Sequence, residues 1–242
     1  MRPLCLKSYT VKNPANIFVG DGLNYMEFFT ITLEEILISI GLFIYVMFIT
    51  SILTKKLYEK YRDRVGDIRM RYYNRKVIHI FAGGVVAILV PYIYKSPLIP
   101  LLMGIALAIL VLIPYLKRQI LYWFQVEENM YDVNFCIVWG LTFLLSYLIW
   151  GDLIHGMVII SFMAFGDAVT GIVRNYFFKR RTKHWLGNIA MFLVSAPIAY
   201  YFLGVRGLLS ALAASVAEHF EYGPVDDNVL APLAAFITLL IL

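Results

Sequence analysis

The chain has 242 residues, of which 61% are hydrophobic and 15% charged, with a mean hydropathy of +0.74 and a net charge of +5. A water-soluble domain averages roughly 45–50% apolar and about 25% charged residues, so this composition excludes a single soluble core. The apolar runs are about 15–22 residues long and lack strict alternation, which excludes a β-barrel and predicts an all-α, polytopic transmembrane helical bundle.

In chain order, residues 1–29 read as an N-terminal tail without the apolar core and small-residue cleavage site of a signal peptide. Residues 30–242 read as a single transmembrane catalytic domain of about seven or eight transmembrane helices. Apolar segments fall at 30–54, 77–94, 97–116, 133–150, 153–173, 189–203, 205–221 and 226–242. Between the first two, Leu57, Tyr61, Val65, Ile68 and Tyr72 recur at helical spacing, and the opposite face is charged. This predicts an amphipathic helix over 55–76, lying on the inner membrane surface with its basic residues near lipid phosphates. A solvated linker helix is the plainer reading. If the side reached after the first segment is called inside, the inside connections hold sixteen of the 21 Lys and Arg residues. That asymmetry supports the partition, puts both termini outside, and assigns the basic charge to membrane orientation rather than nucleic acid. Cys5 and Cys136 lie far apart and form no metal-binding spacing.

Charges within or beside membrane helices are costly, and three clusters fall on the inside. Arg75, Lys76 and His79 open the second segment; Arg75 and His79 share a face and suit a phosphate or a lipid hydroxyl, or else anchor and pack the helix. Asp167 sits in the fifth segment and requires a partner, a proton or a metal; Arg174, two turns on, is the simple partner. The basic stretch 174–188, with Arg174, Lys183, Gly187 and Asn188, offers what a triphosphate needs, although orientation explains it equally well. Glu218, Glu221, Asp226, Asp227 and Asn228 place carboxylates where basic residues dominate, a hard-oxygen set suited to Mg²⁺. One of Asp226, Asp227 and Asn228 is expected to cap the last helix. Together these features suggest phosphoryl or nucleotidyl transfer at a membrane face.

The ordered set Arg75-Lys76-x-x-His79, Gly166-Asp167-Ala168, Lys183-x-x-x-Gly187-Asn188, and Glu218 followed by Asp226-Asp227-Asn228 resembles the dolichol kinase/phytol kinase family over about residues 72–233. His184 and Leu186 stand where the family tends to have Ser or Thr and then Glu. The resemblance implies a CTP-dependent kinase of isoprenoid alcohols or diacylglycerol. It implies Mg²⁺ and nucleotide at Asp167, Asp226, Asp227 and Asn228, and phosphates at Lys183, Gly187 and Asn188. Glu218 would complete the metal site or take the hydroxyl proton, and Arg75, Lys76 and His79 would line the pocket, His79 and Asp167 among the catalytic groups. The related phosphatidate cytidylyltransferases carry a C-terminal His-Gly-Gly run that this chain lacks. A lipid transporter would place polar residues near the bilayer midplane instead. A homo-oligomer is compatible with the sequence. The expected location is a prokaryotic or archaeal plasma membrane with the site on its cytoplasmic face.

Overall fold

A computed structural model describes residues 28–127, 129–179, 182–221 and 225–242. The tail assigned to 1–29 therefore lies almost wholly outside the described residues, as do Arg180, Arg181 and the Gly223–Pro224 pair. The described chain is all-α, and six of its helices are long and apolar enough to cross a membrane. These are α1 (Leu33–Val65), α2 (Asp67–Ile93), α3 (Leu98–Leu116), α4 (Tyr131–Trp150), α5 (Ile154–Phe178) and α6 (Trp185–Ala217), followed by the shorter apolar α7 (Asp227–Ile241).

α6 is two helices. Gly204 has φ 60° and ψ −141°, a left-handed backbone open to glycine, and the chain reverses there. The reversal is tight, because a Cβ on Gly207 would strike the Ala199 carbonyl. Asn188 consequently meets Ser215 and Glu218, residues 27 and 30 positions further on. This hairpin reproduces the division into segments 189–203 and 205–221.

The stretch 55–76 differs from expectation. It is not one surface helix: Gly66, at φ 95°, breaks it into the end of α1 and the start of α2, which pack antiparallel. The predicted apolar face is lost at that turn, where Ile68 is 81% exposed, and Tyr58, Met70 and Asn74 are buried instead. At about 1.5 Å per residue, the 33 residues of α1 are too long for a hydrocarbon core about 30 Å thick, so this hairpin projects beyond one face. The stretch 174–188 is likewise shorter as a loop than predicted, since Arg174 belongs to α5 and Gly187 and Asn188 to α6.

α5 is the central helix. Met157, Val158, Ile159, Ile160, Phe162, Met163 and Ala164 are fully buried within it, whereas α1 presents Leu37, Ile40 and Ile44 outward. Lipid tails are as apolar as leucine, so close packing rather than water drives these helices together. Gly104 of α3 and Gly140 of α4 meet backbone to backbone for this reason. Three π-helical stretches, Phe48–Leu53, Ile78–Gly84 and Phe162–Gly166, interrupt α1, α2 and α5 where these helices approach one another. Such widened turns recur at functional sites.

The connection after α3 is exposed at Lys117, Arg118, Gln119 and Tyr122 but tucks Phe124 and Gln125 inside. Gln125 is inaccessible; its amide donates to the Val111 carbonyl and its carbonyl accepts from the Leu121 N–H. The Trp123 indole N–H donates to the Thr50 carbonyl, and Asn74 bonds the carbonyls of both Thr54 and Trp123. The strap is thus pinned across α1 and α2 at the same end as the Gly66 hairpin.

Candidate functional site: a converged acidic and basic centre

The site forms where α2, α5, α6 and α7 meet at this charged end. Asp167 follows directly on the π-helical turn of α5 and is 4% exposed. α2 approaches it closely because residue 171 has no side chain; a Cβ there would strike the Tyr72 hydroxyl and the Lys76 stem. Lys76 Nζ therefore reaches Asp167 Oδ2 at 2.6 Å, and His79 Nδ1 lies 3.2 Å from the same oxygen. The His79 ring stacks on Phe135 at 4.2 Å between centroids, and its Nε2 has no hydrogen-bond partner among the described residues.

A second knot lies beside the first. Arg174, two turns along α5, makes a bidentate pair with Glu218 at 2.7 and 2.8 Å. It also donates to Asn188 Oδ1 at 2.8 Å and, through Nε, to the His184 carbonyl. The guanidinium passes over Gly187, where a Cβ would collide with it, so the glycine predicted to meet phosphate makes room for this arginine. Asn188 donates to Glu218 Oε2 at 3.1 Å. Lys183 then joins the two acidic positions, donating to Glu218 Oε1 at 3.2 Å and to Asp227 Oδ2 at 2.9 Å.

One carboxylate oxygen from each of Asp167, Glu218 and Asp227 lies within 4.8 Å of the other two. Opposed oxygens around a magnesium ion at about 2.1 Å stand roughly 4.2 Å apart, so small side-chain movements bring this hard-oxygen set to one ion. Three carboxylates face three cations, Lys76, Arg174 and Lys183, and the centre is close to neutral as it stands. Burial alone would disfavour the Lys183 ammonium, but Asp227 and Glu218 outweigh it and hold its pKa above the ordinary lysine range. Exposure is graded: Glu218 is 1% exposed, whereas the Lys183 and Asp227 side chains retain 26% and 18%. Water therefore reaches the centre from the Lys183–Asp227 side.

The predicted residues divide on inspection. Lys76, His79, Asp167, Arg174, Lys183, Gly187, Asn188, Glu218 and Asp227 come together. Asp226 is not among the three converging carboxylates, and its Oδ2 accepts from the Asn228 amide at 3.1 Å. Asp226 occupies the N-cap position of α7, yet its side chain makes no capping bond. Burial, with Asp227 adjacent, raises its carboxyl to about 6. Arg75 turns away from His79 toward Asp132, at 3.6 Å, and lies over the Tyr131 ring at 4.2 Å. Asp132 escaped the sequence reading because it falls just before the apolar run that begins at 133; a charge in the first turn of a membrane helix was the available signal.

His79 and Asp132 also line a cavity of about 260 Å³ bordered by α1, α2, α3, α4 and the strap and open on one side. Its remaining walls are mostly aliphatic and aromatic. The charged centre and an apolar chamber thus share His79 as a common wall. Comparison with protein-family models, curated proteins and solved structures finds no match to any of them.

Proposed function

We propose that this chain is a membrane-embedded kinase that transfers the γ-phosphoryl group of CTP, or of another nucleoside triphosphate, to a lipid alcohol such as dolichol, phytol or geranylgeraniol. The observation that carries this reading is the convergence of Asp167, Glu218 and Asp227 from three helices, amid three cations and beside an apolar chamber. Phosphoryl transfer asks for positioning and charge neutralisation, and the residues supply both. The polar residues gather at one end rather than at the midplane, which disfavours a transporter.

The donor would arrive from the aqueous side, where Lys183 and Asp227 are partly exposed. Its phosphates would draw on Lys183, Arg174 and Lys76, and Asp167, Glu218 and Asp227 would hold Mg²⁺, which would neutralise the developing charge. The alcohol would arrive from the chamber. Its oxygen attacks the γ-phosphorus, the bond to the bridging oxygen breaks with release of the nucleoside diphosphate, and the hydroxyl proton passes to the His79–Asp167 pair. On this reading the site faces the cytoplasm, consistent with its position among the basic connections.

Purified protein given γ-labelled CTP, with ATP and GTP in parallel, prenols or diacylglycerol, and Mg²⁺, is expected to produce labelled lipid phosphate. The label should vanish on chelation of Mg²⁺ and in Asp167→Asn. CDP-lipid formed from α-labelled CTP, without γ-label in lipid, would make the protein a cytidylyltransferase instead.

A further inference from the structure

We propose that the outward stripe Lys56–Lys60–Arg64 at the end of α1 binds the phosphate headgroup of an anionic phospholipid in the leaflet around the charged end. The proposal stands on the geometry of α1 and not on the kinase reading. Along this helix Ile36, Ile40, Ile44, Phe48 and Ile52 are all exposed, and Lys56, Lys60 and Arg64 continue the same four-residue spacing, exposed in turn. A four-residue spacing drifts by about 40° per step around a uniform α-helix. The wider π-helical turn at Phe48–Leu53 drifts the other way and keeps the stripe on one side of α1. The surface that meets lipid tails therefore passes, without turning, into a row of three cations.

Depth agrees with this. From Leu33 to Leu53 the helix rises about 30 Å at 1.5 Å per residue, the thickness of the hydrocarbon core. Lys56 then stands at the start of the headgroup layer, and the long side chains of Lys60 and Arg64 can reach back to it. The other side of this segment belongs to the protein, since Thr54 and Tyr58 are buried and Lys55 lies over the Trp123 ring. Asn74, bonded to the carbonyls of Thr54 and Trp123, holds the segment in place, so the three cations are presented on a fixed support.

The cations are unpaired because the acids of the hairpin are engaged elsewhere. Glu59 accepts from the Tyr122 hydroxyl at 3.5 Å, Asp63 pairs with Arg62 at 3.5 Å, and Asp67 takes both Arg71, at 2.9 Å, and the Tyr58 hydroxyl. Among the described residues Lys56, Lys60 and Arg64 have no carboxylate partner. Like charges four residues apart on a helix repel, so an anion lodged between them relieves the stripe. A phosphodiester carrying net negative charge does this fully, whereas a zwitterionic headgroup brings its own ammonium. The stripe continues the lipid-facing side of α1, and the acidic centre lies among α2, α5, α6 and α7, so the phosphate comes from a membrane lipid rather than from a free polyphosphate.

The test uses the full chain in detergent, with native mass spectrometry counting bound lipid as phosphatidylglycerol or phosphatidylcholine of matched chains is added. The first phosphatidylglycerol should bind about tenfold more tightly than the first phosphatidylcholine. One cation at an anionic surface accounts for about fivefold, so Lys60→Gln should leave a preference of about twofold. Lys56→Gln, Lys60→Gln and Arg64→Gln together should abolish it, with a thermal scan checking the fold; the single variant carries the test if the triple one unfolds early. Arg206→Gln, an equal loss of exposed charge beside the Gly204 reversal at the opposite end, should leave the preference intact. Equal binding of the two lipids, a preference that survives in Lys60→Gln and the triple variant, an equal loss in Arg206→Gln, or displacement of the bound phosphatidylglycerol by equimolar inorganic tripolyphosphate would overturn the proposal.

Discussion

The two ends of the bundle use charge differently. At the end opposite the site, charged side chains bond backbone N–H groups and near neighbours rather than remote opposite charges; even Glu35, which reaches 60 residues on, meets only the N–H of Lys95. Thr32 and Glu35 form a capping box on α1, and Asp152 accepts the N–H groups of Ile154 and His155 at the start of α5. His155 is held by Asp152 three residues away and stacks on Trp150. These are helix-terminus bonds that any helix requires. At the charged end the partners are remote: Lys76 finds Asp167 after 91 residues, and Arg174 finds Glu218 after 44. An ionisable group in a membrane protein thus carries functional meaning through a remote partner of opposite charge more than through its presence.

That contrast yields graded expectations. Asp167→Asn should have the largest effect, lowering lipid phosphorylation by about 10³-fold, because it removes charge from both the metal set and the His79 pair. The labelled-CTP assay checks it. Arg174→Lys keeps the charge but forfeits the two-pronged contact with Glu218 and the bond to Asn188, leaving a buried carboxylate poorly satisfied. A stability loss of about 3 kcal/mol is expected, read from thermal unfolding in detergent. Gly171→Ala should cost about 1–3 kcal/mol by pushing Tyr72 and Lys76 away from α5, with transfer falling in step.

A pH series tests Asp226. Its native carboxyl titrates at about 6, above the ordinary 3.8, so the stability it gives through the protonated form is complete below about 3.8 and lost as pH rises through 6. Relative to Asp226→Asn, the wild-type unfolding temperature should therefore fall between pH 4 and 7. The smallest effect belongs to the other end: Asp152→Ala should cost about 1 kcal/mol as a lost cap and leave transfer unchanged. A loss of activity there comparable with that of Asp167→Asn would erase the distinction between the two ends.

Much of this was readable in the amino-acid sequence, and the reasons are physical. Asp167 stood out because an apolar context offers charge no easy alternative, Glu218 because it lies among basic connections, and Lys183 through the motif it shares with the resembling family; the three do converge. Apolar length placed the membrane-crossing runs, including the two halves of α6, while α1 and α2 continue about ten residues beyond their runs to Gly66. The hairpin at Gly66 was missed because the apolar spacing continues across it, although a glycine in mid-pattern marked the break. The strap was invisible because a loop held inside by Trp123 and Gln125 has no periodicity to announce it. The bond between Asp226 and Asn228 was not legible for a related reason: adjacency along the chain does not fix which way neighbouring side chains point at a helix start.

The reversal at Gly204 has a bearing on biosynthesis. Lys183, Gly187 and Asn188 precede the α6 hairpin, Glu218 and Asp227 follow it, and the first limb, at about 1.5 Å per residue, is nearly as long as the hydrocarbon core is thick. The two halves of the centre can meet only after the nascent chain has gone across the bilayer and come back. A copy in which that hairpin stalls would keep every residue of the site yet never assemble it, so the chemistry of the finished protein doubles as a report on its own insertion.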